Sequence, residues 1–102
     1  MTGTTEESTV VRNADKDRYE VFYDGDLAGF AEYTEDGSVT VFTHTEVDSA
    51  FEGKGLGSKL AAFALRDTVD RGHRIRPECE FIRGYLDRHP EYAAQVTGSD
   101  GA

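Results

Sequence analysis

The chain is poor in the residues that staple, stiffen or anchor a fold. One cysteine among 102 residues, Cys79, excludes an internal disulfide framework and a cysteine-built zinc cluster. Tryptophan is absent and proline occurs only at Pro77 and Pro90. Cations are also scarce, with eleven Lys and Arg against twenty Asp and Glu for a formal charge of −9. That deficit argues against nucleic acid as a partner, because phosphate neutralisation needs a surplus of Lys and Arg. No apolar run approaches the roughly 20 residues of a membrane-spanning helix, so no membrane partner is expected. Residues 1–8 are polar and acidic without an apolar segment, so they read as neither a secretory signal nor a transit peptide. The expected location is the cytoplasm, where a lone thiol stays reduced. His44, His73 and His89 are scattered without ligand spacing, so no metal site is expected.

What is present suffices for one small domain. The apolar fraction is 37% and eleven aromatics are spread along the chain, enough for a single core at this length. Residues 9–96 are expected to form that domain between flexible polar ends, 1–8 and 97–102. The charge is uneven: thirteen carboxylates and three bases precede Lys54, whereas eight bases and seven carboxylates follow Gly53. Lys59, Arg66, Arg74, Arg83 and Arg88 either solvate helix faces or help meet an anionic small molecule, and composition does not choose between these.

Hydrophobic periodicity predicts an α+β architecture: an antiparallel meander, an amphipathic helix, a short strand and C-terminal helices. Strands are expected over 9–12, 19–23, 27–34 and 39–47, with Asp24-Gly25-Asp26 as a hairpin signal. In the fourth, a period of two puts Thr40, Phe42, His44 and Glu46 on one face, so His44 and Glu46 are neighbours. From Lys54 to about Arg71 the period becomes helical, with Leu56, Leu60, Ala61, Ala64, Leu65 and Val69 toward the sheet. Residues 73–76 read as a strand, 78–88 as a helix, and 91–96 as a third helix started by Pro90. A sheet of this kind ends in an exposed edge, which leaves the oligomeric state open.

The most informative segment, residues 51–60, reads Phe-Glu-Gly-Lys-Gly-Leu-Gly-Ser-Lys-Leu between strand and helix. Alternate glycines let backbone approach a ligand, and the first amides of a helix point free N–H groups at an anion. A Walker loop is excluded because no window supplies its spacing, and a dinucleotide fingerprint because the context is an antiparallel meander. A plain turn and a phosphate cradle both remain consistent with the glycines alone.

These residues resemble the GNAT superfamily of acyl-CoA-dependent N-acyltransferases. That family has Gln or Arg, then Gly three positions later and Gly or Ala two beyond it; here Gly55 and Gly57 match and Glu52 departs from the first position. A fuller resemblance covers about 18–96 and is to the small, YjdJ-like branch of roughly a hundred residues. It is carried by residues 42–47 (Phe-Thr-His-Thr-Glu-Val), the glycine loop, 77–81 (Pro-Glu-Cys-Glu-Phe), Tyr85 and 89–92 (His-Pro-Glu-Tyr). It implies a minimal GNAT-like fold and acetyl-CoA as acyl donor, held by Val47, Gly53, Lys54, Gly55, Leu56, Gly57, Ser58 and Lys59. Lys54 or Lys59 would stand in for the side chain that Glu52 does not supply.

The implied activity is transfer of an acetyl group to an amine, with the acidic half favouring a cationic acceptor such as a lysine side chain or a polyamine. Such chemistry needs a neutral amine, a polarised thioester carbonyl and a proton for the departing thiolate. The resemblance gives Glu46 the place of base and Tyr85 that of acid. His44, beside Glu46, suits a proton relay. Cys79 stands either as a nucleophile that accepts the acetyl group or as a wall of the thioester pocket, near a helix start that favours a thiolate. A non-catalytic acyl-CoA-binding or protein-interaction module is the alternative reading.

Overall fold

In the computed structural model the described residues are 7–97. Four strands, β1 (Ser8–Asn13), β2 (Arg18–Tyr23), β3 (Asp26–Asp36) and β4 (Val39–Val47), run as an antiparallel meander. The 15-residue helix α1 (Leu56–Asp70) then carries the chain back to β5 (Arg74–Pro77), which lies parallel to β4. The short helix α2 (Glu80–Asp87) and a 3-10 turn over Pro90–Gln95 follow. Spatial order in the sheet is the order of the chain, β1-β2-β3-β4-β5. Only β4 to β5 needs a crossover, because parallel neighbours cannot be joined by a tight turn.

The core lies between one face of the sheet and the two helices. Tyr19, Val21, Ala31 and Phe42 from the strands meet Leu60, Ala61, Ala64 and Leu65 of α1 and Ile82 of α2, all fully buried. Each large aliphatic member contributes about 1.5–3 kcal/mol by leaving water. In the last turns of α1, Val69 packs partly buried against the core as expected, and Thr68 is fully buried beside it. Its hydroxyl donates to the Ala64 carbonyl at 2.8 Å, so its burial leaves no polar group unsatisfied.

Several expectations are revised. The helix begins at Leu56 rather than Lys54, because Gly53 and Gly55 both have positive φ and the loop coils through them. The segment after Pro90 is a 3-10 turn, not an α-helix. The predicted ends fall largely outside the described residues. At their inner limits, Ser8 pairs with Tyr23 and the Thr97 amide donates to Ile75 O at 2.8 Å.

The alternation in β4 is broken by a bulge. His44 pairs with Glu32 and Phe42 with Tyr33, leaving Thr43 without an opposite residue. Phe42 therefore sits in the core, whereas His44 and Glu46 are exposed on the opposite face, beside Phe30. The single face predicted for Phe42, His44 and Glu46 does not exist, although His44 and Glu46 remain neighbours.

Candidate functional site

After Phe42, β4 and β5 part. Their ladder ends at Phe42 with Pro77, and the Glu78 amide closes it by donating to Phe42 O at 3.0 Å. Pro77 has no N–H with which to extend a ladder, and Cys79 caps α2 two residues later. Residues 43–47 keep β3 on one side and, among the described residues, have no strand on the other.

The glycine loop opens beside this unpaired edge. Asp48 caps a short 3-10 turn over Ser49–Phe51, accepting from the Ala50 amide at 2.9 Å, and delivers the chain to Glu52. Left-handed Gly53 and Gly55 then bring it round to the first turn of α1. Gly55 is the N-cap residue and supplies no side-chain cap; the first helical bond runs from the Lys59 amide to Gly55 O at 3.2 Å. Among the described residues, the backbone N–H groups of Gly53, Gly55, Leu56, Gly57 and Ser58 find no acceptor, whereas that of Lys54 folds back on the turn over Glu52 and Gly53. Together with the positive end of the helix dipole, they form a donor set suited to an anion.

These groups border a groove of about 260 Å³ walled by Val47, Phe51, Leu56 and Phe81, with Glu52, Gly53, Gly55, Gly57 and Ser58 along it. Gly57 has an ordinary helical φ, and its need for glycine is steric: an added Cβ would stand 2.8 Å from Phe81 Cζ. The seating of the Phe81 ring against the first turn of α1 depends on it. Phe81 is 38% exposed, an apolar ring left at the rim.

The two predicted lysines point elsewhere. The Lys54 ammonium lies 4.9 Å from the centroid of the Tyr23 ring, and Lys59 Nζ donates to Ser8 Oγ at 2.6 Å. Neither lines the groove. Val47, Gly53, Gly55, Leu56, Gly57 and Ser58 do, as does the carboxylate-bearing Glu52.

The candidate reactive residues are distributed around the unpaired edge of β4. Cys79, 6% exposed, donates through its thiol to Thr45 Oγ1 at 3.2 Å, on the helix side of the sheet. His44 Nε2 and Glu46 Oε1 lie 3.4 Å apart on the opposite side, both largely exposed. Glu46, with Val47 and Asp48, borders a second hollow of about 360 Å³ completed by Leu27–Phe30 of β3 and Ser49. Tyr85 is stacked on His89, ring centroids 3.8 Å apart. Desolvation by burial, then the charges of Tyr92 and Glu91, push its phenol above the usual range, so it stays protonated at neutral pH. The arrangement brings Cys79 to Thr45 and His44 to Glu46; Tyr85 shares the buried cluster of Cys79 and, among the described residues, is hydrogen-bonded through its side chain to neither pair.

Sequence reasoning missed Thr45, Phe81 and Phe51 as parts of this site. The spacing Thr45-Glu46-Val47 carried the only available signal, since alternate residues of an edge strand serve opposite faces. Among the described residues, no three His, Cys, Asp or Glu side chains gather to hold a metal. Among the same residues, no helix is long and apolar enough to cross a membrane.

With free amides at a helix start beside a strand edge that no described strand covers, the arrangement suits an anionic ligand. A GCN5-like protein from Staphylococcus aureus, whose structure was solved in solution by NMR, superposes with a TM-score of 0.68 at 17% identity over 88% of both chains, which establishes a common fold. No curated protein matches the chain significantly. The family model of the GCN5-related N-acetyl-transferases matches residues 18–96, from the start of β2 to the last turn. The chain therefore belongs to the GCN5-related N-acetyltransferase family.

Proposed function

We propose that the protein, a member of the small YjdJ-like branch, transfers an acetyl group from acetyl-CoA to a primary amine. The observation that carries this reading is the set of free amides between Gly53 and Ser58 at the start of α1, opening beside the edge of β4 that no described strand covers. The pyrophosphate would lie on these amides, with Val47, Leu56 and Phe81 against the apolar arm and the acyl end toward Thr45 and Cys79. The thioester supplies an activated carbonyl; the chain supplies orientation and proton transfer. Glu46 accepts the proton of the incoming ammonium, with His44 at 3.4 Å to share it. Cys79 walls the thioester end, and Tyr85, held protonated, returns a proton to the departing thiolate. A cationic acceptor such as a lysine side chain or polyamine suits the carboxylates of Glu46 and Asp48 at the second hollow.

One observation favours a binding module without turnover: His44 and Glu46 lie on the opposite face of β4 from Cys79. Two measurements separate the readings. The first is thermal unfolding with acetyl-CoA, CoA and ATP in parallel, where a ligand at a hundred times its Kd adds about 2.7 kcal/mol. The second is release of free CoA thiol with polylysine or spermidine present. Stabilisation by both CoA species with little from ATP, together with thiol release, supports the transferase. Stabilisation without release favours the module, and no stabilisation rejects both.

A further inference from the structure

The glycine loop has a side turned away from the groove, and two residues meet there. Gly53 and Gly55 border the groove, but Lys54 between them does not; its ammonium sits 4.9 Å from the Tyr23 ring centroid. The same ring meets Phe51 edge to face, with centroids 5.8 Å apart and planes at 65°. Tyr23 is fixed to the sheet, ending β2 and paired with both Ser8 and Asp26. One ring anchored in the sheet thus touches the loop just before its first left-handed glycine and just after it.

We propose that Tyr23 and Lys54 clamp the glycine loop in its anion-receiving shape from the side away from the ligand. Tyr23 is a positioning residue, and Lys54 anchors the loop rather than contacting phosphate. The physical need comes from the glycines: a loop with two of them loses more conformational freedom on ordering than one of the same length without glycine. If ordering waited for the ligand, it would be subtracted from affinity; a loop already ordered avoids that loss. A cation held over an aromatic face within about 6 Å gives a directional attachment.

The clamp rests on the acetyl-CoA reading only for its purpose, so its test has a ligand-free readout. In the ¹⁵N-labelled protein without ligand, order parameters for residues 53–58 are expected near 0.85 in wild type and Tyr23→Phe, and below about 0.6 in Tyr23→Leu. Lys54→Met is expected to lower them as well, and Lys54→Arg to retain them. CoA affinity, read by calorimetry, should fall about two- to fivefold in Lys54→Met and stay within about twofold of wild type in Lys54→Arg and Tyr23→Phe. Lys54 is exposed, so its variants carry the test should Tyr23→Leu fail to fold. Unchanged order parameters in Lys54→Met overturn the clamp; if affinity falls with them unchanged, Lys54 meets the phosphate itself. Wild-type protein that does not bind CoA while its loop responds as described overturns the acetyl-CoA reading and leaves the clamp standing.

Discussion

Cys79 and Thr45 meet where β5 has left β4, with Sγ 3.2 Å from Oγ1. The contact joins the cap of α2 to the stretch of β4 that, among the described residues, has no second neighbour. If the acyl end lies there, Cys79→Ala should leave the CoA Kd within about twofold and lower acetyl transfer at least roughly tenfold, since small misplacements near the reacting carbonyl are costly. Thr45→Val should lower transfer in the same direction. Steady-state kinetics of the two variants beside wild type check this; unchanged rates in both would remove Cys79 and Thr45 from the site.

Glu46 is exposed and bonded only to His44 among the described residues, so Glu46→Gln should fold with an unchanged melting temperature. Loss of a general base typically lowers turnover by about 10²–10⁴-fold. The expected result is that loss in kcat with CoA affinity unaltered. A variant as fast as wild type would show that another group takes the amine proton.

Gly57 separates packing from binding. An Ala there gains about 0.8–1 kcal/mol in helix propensity. It also meets the Phe81 ring, whose exposed rim position lets it swing aside. The expected stability is within about 1 kcal/mol of wild type, whereas acetyl-CoA affinity falls roughly tenfold because a wall of the groove has moved. Denaturant midpoints and calorimetry on Gly57→Ala give the two numbers; equal affinity would show that Phe81 does not shape the ligand site.

At the other end of α1, the Tyr19 hydroxyl donates to Asp67 Oδ2 at 2.7 Å and accepts from Arg71 at 3.2 Å. Burial, followed by the bond to Asp67, pushes the Tyr19 phenol up to about 12 from an ordinary value of 10.0. A raised folded-state value means its contribution is complete below pH 10 and is lost as pH climbs from 10 toward 12, where only the unfolded chain readily releases the proton. Urea midpoints between pH 8 and 12 should therefore fall less steeply in Tyr19→Phe than in wild type. Parallel curves would assign the alkaline loss to other groups.

Much of this architecture is legible in the residues. Asp24-Gly25 places the hairpin of β2 and β3, and Leu56, Leu60, Ala61, Ala64 and Leu65 give the buried stripe of α1 that the core uses. The bulge at Thr43 is not legible, because counting by two assumes that every residue has an opposite, and it is the bulge that turns Phe42 and His44 to different faces. The directions of Lys54 and Lys59 depend on Tyr23 and Ser8, thirty-one and fifty-one positions away, which local spacing cannot encode. Glu20 is the same kind of case: a buried carboxylate, held by Arg18 Nε at 2.8 Å and Asn13 Nδ2 at 3.1 Å, that period two assigns to an exposed face.

The central claim is that the amides from Gly53 to Ser58 receive the phosphates of a CoA thioester. The most direct measurement is an amide chemical-shift titration of the ¹⁵N-labelled protein with acetyl-CoA. The account predicts saturable changes that are largest at residues 53–58, reproduced by CoA. Saturable changes centred elsewhere, or none at residues 53–58 at millimolar acetyl-CoA, would contradict it.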